Sequence, residues 1–254
     1  MKKAKPITKE MIGTFMKEYD DDKAAKVYTA AAATSELSEL AFCPMAAAKF
    51  ENTFSVEIKT RGITAQKDSG RCWLFASMNI LRECVAEKCN LEMFELSGNY
   101  LAFWDKFEKM NFFLESVIDS ADLEISDRTV NWLMAGIQDG GQWDMMVSLI
   151  KKYGIVPKSV MPENYQSTHT KTFLNMINMK LRKDAAELRK MVLEGNDTEA
   201  RKNEMLGELF KALCICFGKP VEKFDFSYVD KDNQFHVDYD LTPQQFYENM
   251  LAYR

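Results

Sequence analysis

Residues 66–73 read Gln66-Lys67-Asp68-Ser69-Gly70-Arg71-Cys72-Trp73, a polar loop that ends at a cysteine. The pattern changes after Cys72, because residues 73–88 contain neither Gly nor Pro. Four apolar residues recur there at spacings of four, three and four: Leu74, Met78, Leu81 and Val85. That spacing predicts one stripe of a buried helix. The loop therefore ends where a helix begins, and Cys72 is predicted at the junction.

A cysteine at the start of a helix is a candidate nucleophile. Unpaired backbone N–H groups and the positive end of the helix dipole favour a thiolate there, and Arg71 adds a neighbouring positive charge. The alternative is a small buried thiol, which is what most free cysteines are. Attack on a carbonyl also needs donors for the oxyanion, and the amide of Gln66 together with the backbone N–H of Cys72 could supply them. Taken alone, Gln66 reads as a solvated loop residue.

The whole block resembles the papain-superfamily motif Gln-x5-Cys-Trp, and its Ser-Gly-Arg-Cys-Trp-Leu-Phe-Ala portion resembles the bleomycin hydrolase (aminopeptidase C) branch. Two positions depart from that family: Gly98 replaces its usual Gln, and Ala65 its usual Asn. Further segments are similar to the same family: residues 94–106, 139–145, 153–163, 226–236 and 241–247.

The resemblance implies a role for each matched residue. Cys72 is the nucleophile, Gln66 the oxyanion donor, and Gly140 and Gly141 line the substrate cleft, where glycine lets a peptide backbone approach closely. Judged alone, those glycines could equally form an ordinary turn between helices. The family implies a cysteine aminopeptidase that acts on short peptides through an acyl-enzyme, without metal or organic cofactor. It also implies a cytoplasmic homo-oligomer, a hexameric ring.

The implied fold class is α+β: the mainly helical left lobe of a papain-like fold, plus a helical hook insertion with a β-hairpin. We expect an N-terminal arm over residues 1–60, the helical lobe over 61–170 and the hook over 171–254. The β-rich second lobe is expected to be largely absent. The alternation in residues 54–58 further predicts a short strand. Helices are predicted over residues 9–19, 101–114, 127–134, 143–153, 172–193 and 199–217, with a hairpin over 224–239.

Catalysis also needs an imidazole base and an amide that orients it. The family places these after the hook, in a segment this chain does not contain. The two histidines present, His169 and His236, are most simply solvated surface residues. Three hypotheses follow: a cysteine aminopeptidase whose activity needs the second lobe from the remaining chain or from another chain; a non-catalytic truncated paralogue that acts as an interaction or assembly subunit; and a thiol redox or metal-binding protein.

Composition argues against several classes of protein: nucleic-acid-binding, membrane-spanning, secreted and metal-binding. A formal net charge of −5 gives no global attraction for nucleic acid. No run approaches the ~18 apolar residues of a membrane helix, and the basic N-terminus has no apolar run behind it, so we expect no secretory signal. Six cysteines without zinc-like spacing predict reduced thiols of a cytoplasmic protein rather than a metal site.

Overall fold

The computed structural model describes residues 5–51, 53–58 and 60–251 of the chain. Its contacts divide the chain into two compact units, Met1–Ile58 and Lys59–Arg254, each described by itself. The boundary expected between residues 170 and 171 stays a prediction. Among the described residues, no helix combines the length and the apolar character that crossing a bilayer requires.

The first unit is built from short helices: α1 (Lys9–Asp21), α2 (Lys23–Ala32), α3 (Leu37–Ala41) and α4 (Pro44–Ala47). The helix predicted over residues 9–19 is confirmed as α1. Asp22 separates α1 from α2, and its carboxylate accepts hydrogen bonds from the backbone N–H groups of Ala24 and Ala25, as an N-cap does. Within the described part of this unit, α1–α4 bury no side chain.

The strand expected over residues 54–58 is wrong. The described residues of this segment form no strand, and Phe54, Val56 and Ile58 are exposed. An alternating pattern becomes a strand only when a neighbouring strand satisfies its backbone N–H and C=O groups. The described residues give this segment no such neighbour.

The second unit is mainly helical and carries a two-stranded antiparallel sheet. Its elements are α5 (Cys72–Lys88), α6 (Gly98–Asp119), α7 (Arg128–Met134), α8 (Trp143–Tyr153), α9 (Tyr165–Thr168), α10 (Thr170–Leu193), α11 (Glu199–Phe217), β1 (Phe224–Val229), β2 (Phe235–Leu241) and α12 (Pro243–Met250). All six helices expected here and the hairpin are confirmed, although α6 is longer at both ends than predicted. A mainly helical fold with a small β-sheet, as the α+β class requires, is thus confirmed. The absence of a β-rich second lobe stays a prediction.

Helix α6 forms the centre of the second unit, because α5, α7, α8, α10 and α11 all pack against it. Its apolar side chains are buried along nearly its whole length. Fully burying a side chain of the size of Val, Leu, Phe or Met stabilises the folded protein by about 1.5–3 kcal/mol through the hydrophobic effect. The buried apolar side chains of α6 are Tyr100, Leu101, Ala102, Phe103, Met110, Phe113, Leu114 and Val117. Two charged residues in the same helix, Asp105 and Lys106, are also buried.

The hairpin pairs Tyr228 with His236 and Val229 with Phe235. Its turn is held by Asp230, whose carboxylate accepts the backbone N–H groups of Asp232 and Gln234, each at 2.9 Å. A register shift between Phe224 and Phe226 marks an irregularity in the first strand.

Candidate active site

Cys72 is the first residue of α5, and its thiol is exposed. The N-cap residue Arg71 makes no side-chain hydrogen bond to the first turn. The unpaired N–H groups that every helix start carries are therefore not used by a capping side chain. The expected junction of loop and helix is confirmed, and a substrate can reach the sulfur.

The side chain of Arg71 points into the protein and is 1% exposed. Its Nη2 lies 3.0 Å from Oε2 of Glu163, and its Nη1 donates to Oε1 at 3.1 Å. The guanidinium also lies over the ring of Phe75, 5.1 Å from its centroid. The expectation that Arg71 supplies positive charge to the thiol is therefore corrected: the charge is paired with Glu163.

Gln66 lies in a tight loop before α5. The hydroxyl of Ser69 donates to the backbone carbonyl of Gln66 at 2.6 Å and accepts a hydrogen bond from Nε of Arg71 at 2.9 Å. Lys67 has φ of 54°, the left-handed conformation that folds the chain back on itself. Through Ser69, the loop joins Gln66 to the residue that directly precedes Cys72.

The Gly140–Gly141 turn lies beside the start of α5. The indole N–H of Trp73 donates to the backbone carbonyl of Asp139 at 2.8 Å. A Cβ on Gly141 would lie 2.5 Å from the Trp73 ring, so only glycine permits this approach. A Cβ on Gly140, in contrast, would meet no atom within 4 Å. The structure therefore brings the two glycines predicted to line a substrate cleft next to the start of α5.

The open side of this turn adjoins a cavity of about 470 Å³. Gly140 lines it together with Phe112, Trp132, Gln138 and Met145, so its wall is largely apolar. A concave, largely apolar space of this kind is a common form of ligand site.

Asp139 holds the turn and the loop together through its carboxylate, which is 7% exposed. One carboxylate oxygen accepts the backbone N–H of Gly70 at 3.0 Å and the hydroxyl of Thr170, and the other pairs with Lys106. Burial would raise the pKa of Asp139, but the Lys106 charge and these hydrogen bonds hold that pKa below its ordinary value.

Lys109 fixes the other side of the turn. Its Nζ donates to the carbonyls of Gln138 at 2.9 Å and Gly140 at 2.7 Å, and to the carboxylate of Asp105 at 2.8 Å. The same ammonium lies 5.5 Å from the centroid of the Trp73 ring. The backbone next to Gly141 is therefore held by charged hydrogen bonds, which are stronger than neutral ones.

Sequence reasoning missed the buried charge of Lys106, the partly buried carboxylate of Glu163 and the hydroxyl of Thr170. The sequence did contain a signal for Lys106, because Asp105 and Lys106 interrupt an otherwise apolar helix and charged residues need partners if they are buried. No local pattern pointed to Glu163 or Thr170, which reach the loop through tertiary contacts.

Both histidines are partly exposed and engaged with carboxylates. Nε2 of His169 lies 3.3 Å from Oδ2 of Asp68, and its ring stacks on Tyr165. His169 lies between α9 and α10. Nε2 of His236 lies 2.9 Å from Oδ2 of Asp230, across the turn of the hairpin.

Comparison with known proteins identifies the family. Residues 6–253 match the model of the Peptidase C1-like family. The chain belongs to this family. As a member of the Peptidase C1-like family it is similar to Aminopeptidase C of Lactobacillus delbrueckii subsp. lactis, with 42% identity over 98% of this chain and 57% of that protein. It is also similar to Aminopeptidase W of the same organism, with 35% identity over 97% of this chain and 57% of that protein.

A solved structure is also similar to this chain. The crystal structure of PepW from Lactobacillus rhamnosis HN001 matches with a TM-score of 0.90 at 41% identity, over 98% of this chain and 57% of that chain. The chain spans somewhat more than half the length of these relatives.

Proposed function

We propose that this chain carries the nucleophile half of a cysteine-type aminopeptidase that acts on short peptides. The observation that carries the proposal is the exposed thiol of Cys72 at the first residue of α5, with the Gln66 loop on one side and the Gly140–Gly141 turn on the other. The names of its relatives, aminopeptidases C and W, support the same reaction class.

The chemistry assigned to these residues is acyl transfer. The imidazole base takes the thiol proton of Cys72 and becomes an imidazolium. The sulfur attacks the carbonyl carbon of a peptide, a C–S bond forms, and the carbonyl π electrons move to the oxygen. The side-chain amide of Gln66 and the backbone N–H of Cys72 stabilise this oxyanion. When the carbonyl re-forms, the C–N bond breaks and the amine leaves with a proton from an imidazolium. Water then hydrolyses the thioester, which releases the carboxylic acid and restores the thiol.

The backbone of Gly140 and Gly141 would bind the substrate on the side of the turn that faces the cavity. Because a side chain at Gly140 meets open space, a peptide backbone can approach closely there. An apolar substrate side chain would fit the wall formed by Phe112, Trp132 and Met145.

We assign the imidazole base and its orienting amide to residues other than 1–254, because the family resemblance places them after the hook. The two histidines within residues 1–254 contact Asp68 and Asp230, respectively. The base would come from a continuation of the same chain or from a second chain. A cytoplasmic location and a homo-hexameric ring are further parts of the proposal, implied by the family resemblance.

Two reagents test the proposal: an aminoacyl-fluorophore, which reports turnover, and a thiol-directed epoxide, which labels an activated cysteine. We expect the epoxide to label Cys72, and Cys72→Ala to abolish both labelling and any turnover. Cys84→Ala is the matched control, because Cys84 is an exposed thiol on the same helix. The assay is repeated after adding a segment that supplies the family's His and Asn. Labelling without turnover in both assays would favour the non-catalytic subunit, and equal labelling of Cys72 and Cys84 would contradict the proposal.

A further inference from the structure

The hydroxyl of Ser69 makes two hydrogen bonds, one as donor and one as acceptor. Its hydrogen is donated to the backbone carbonyl of Gln66 at 2.6 Å, and its oxygen accepts Nε–H of Arg71 at 2.9 Å. A hydroxyl has one donor and two acceptor positions, so the only proton of Ser69 is committed to Gln66. This residue therefore links the position of Gln66 to that of Arg71.

The guanidinium of Arg71 is in turn held by a residue other than Ser69. Its guanidinium is buried and pairs with Glu163, whose second oxygen, Oε2, also accepts the hydroxyl of Ser167. Ser167 is fully buried and closes the capping box at the start of α9. This ion pair, with one hydrogen bond from Nη1 of Arg71 to Oε1 of Glu163, restrains Arg71, because separating it would leave the buried guanidinium charge unpaired. The chain of contacts thus runs from α9 through Glu163, Arg71 and Ser69 to the backbone of Gln66.

The side chain of Gln66 has little else to hold it. Its Oε1 is buried and has no hydrogen-bond partner among the described residues. The next residue, Lys67, has φ of 54°, a conformation that costs free energy for a residue with a Cβ. Among the described residues, the side-chain hydrogen bond to the backbone carbonyl of Gln66 comes from Ser69, so Ser69 restrains the backbone from which the Gln66 side chain extends.

We propose that Ser69 is a positioning residue for oxyanion stabilisation: it holds the backbone of Gln66 so that the side-chain amide faces the carbonyl attacked by Cys72. This inference rests on the proposed function, in which Gln66 is the oxyanion donor. It assigns Ser69 an effect on the step that forms an oxyanion and none on the nucleophilicity of the thiol.

Two reactions of the same sulfur separate these effects. A p-nitrophenyl ester is attacked at a carbonyl, forms an oxyanion, and expels a phenolate that needs no proton from a catalytic acid. Iodoacetamide is displaced at a saturated carbon, so no oxyanion forms, yet both reactions consume the thiolate. The ratio of the two rates at Cys72, each located by peptide mass spectrometry, reports oxyanion stabilisation independently of the amount of thiolate.

Ser69→Ala is expected to lower this ratio about tenfold, as expected for the loss of one hydrogen bond that holds a catalytic donor. Ser69→Thr keeps the hydroxyl and should restore the ratio. Ser148→Ala removes an exposed hydroxyl that donates to the carbonyl of Asp144, and it should leave the ratio unchanged. Because Ser69 acts through Gln66, the variant with both Ser69→Ala and Gln66→Ala should match Gln66→Ala alone.

Two results would overturn the inference: an unchanged ratio in Ser69→Ala, whether or not both reactions slow equally, or additive losses in the double variant. They differ from a failure of the proposed function itself. If Gln66→Ala leaves the ratio unchanged, Gln66 is not the oxyanion donor and both proposals fall. If Gln66→Ala lowers the ratio and Ser69→Ala does not, only the role of Ser69 is wrong.

Discussion

Trp73 donates its indole N–H to the backbone carbonyl of Asp139 at 2.8 Å, which ties the residue after the candidate nucleophile to the turn at Gly140–Gly141. The carboxylate of the same Asp139 accepts the backbone N–H of Gly70, two residues before Cys72. One buried aspartate therefore contacts the chain on both sides of the thiol. The position of the Cys72 sulfur relative to the backbone of Gly140 and Gly141 depends on these contacts.

Gly141→Ala should weaken substrate binding and lower stability. The new Cβ would lie 2.5–2.8 Å from atoms of the Trp73 ring, so the turn must move away from α5. We expect the free energy of unfolding to fall by about 1–3 kcal/mol, as for other overpacked sites. Urea unfolding measures this loss. Gly140→Ala is the matched control, because its Cβ meets no atom within 4 Å and should leave stability nearly unchanged. Equal losses in the two variants would contradict the packing argument.

Asp139 should contribute to acid sensitivity. Its folded pKa is below the ordinary value of 3.8, so the unfolded chain binds a proton at a higher pH than the folded chain does. The stabilisation is complete above the ordinary value and is lost as pH falls towards the lower, folded pKa. Asp139→Asn should therefore flatten the fall in unfolding free energy between neutral pH and about pH 3.

The slope of that pH dependence is the decisive quantity, because Asp139→Asn also leaves Lys106 buried without a charged partner and lowers stability at every pH. Asp144→Asn is the control, because Asp144 is exposed and lies in α8, the helix after the turn. This variant should keep the wild-type slope. An unchanged slope in Asp139→Asn would show that the carboxylate is not what titrates.

Gly98 should be required for the contact between Arg71 and Glu163. A Cβ at Gly98 would lie 2.7 Å from Oε1 of Glu163 and 3.1 Å from the Phe75 ring. Gly98→Ala is therefore expected to displace the carboxylate and to cost about 1 kcal/mol of unfolding free energy. It should also slow ester acylation at Cys72.

A glycine elsewhere provides the comparison for that variant. Gly207 is exposed within α11, and a Cβ there would meet nothing within 4 Å. Gly207→Ala should raise the free energy of unfolding by about 0.5–1 kcal/mol, because alanine favours the helix interior. If thermal unfolding shows the same gain for Gly98→Ala, the close approach of Glu163 does not constrain that position.

Periodicity predicted the long helices well because each buries a stripe of its own sequence. Leu74, Met78 and Val85 are buried on α5 as their spacing implied. The hairpin followed from alternation around a polar turn. Helix α12 was missed although Thr242 and Gln245 form a capping box and Pro243 occupies the first turn, a local signal that was available.

The remaining differences come from tertiary contacts. Residues 54–58 have the alternation of a strand, yet a strand also needs a partner, and no property of the segment itself supplies one. At the candidate site, the sequence motif identified Cys72, Gln66, Gly140 and Gly141. It could not identify what holds them, since the Arg71–Glu163 and Lys106–Asp139 pairs join residues distant in the chain.

The central claim is that the sulfur of Cys72 forms the acyl-enzyme, and direct mapping of the acyl group tests it. The protein is mixed with a p-nitrophenyl ester, quenched in acid and digested, and the acylated cysteines are identified by mass spectrometry. Cys43, Cys72 and Cys84 are all exposed, so accessibility alone would acylate all three. The account predicts the acyl group on Cys72 and little on the other two. Similar acylation of all three, or acylation that spares Cys72, would contradict it.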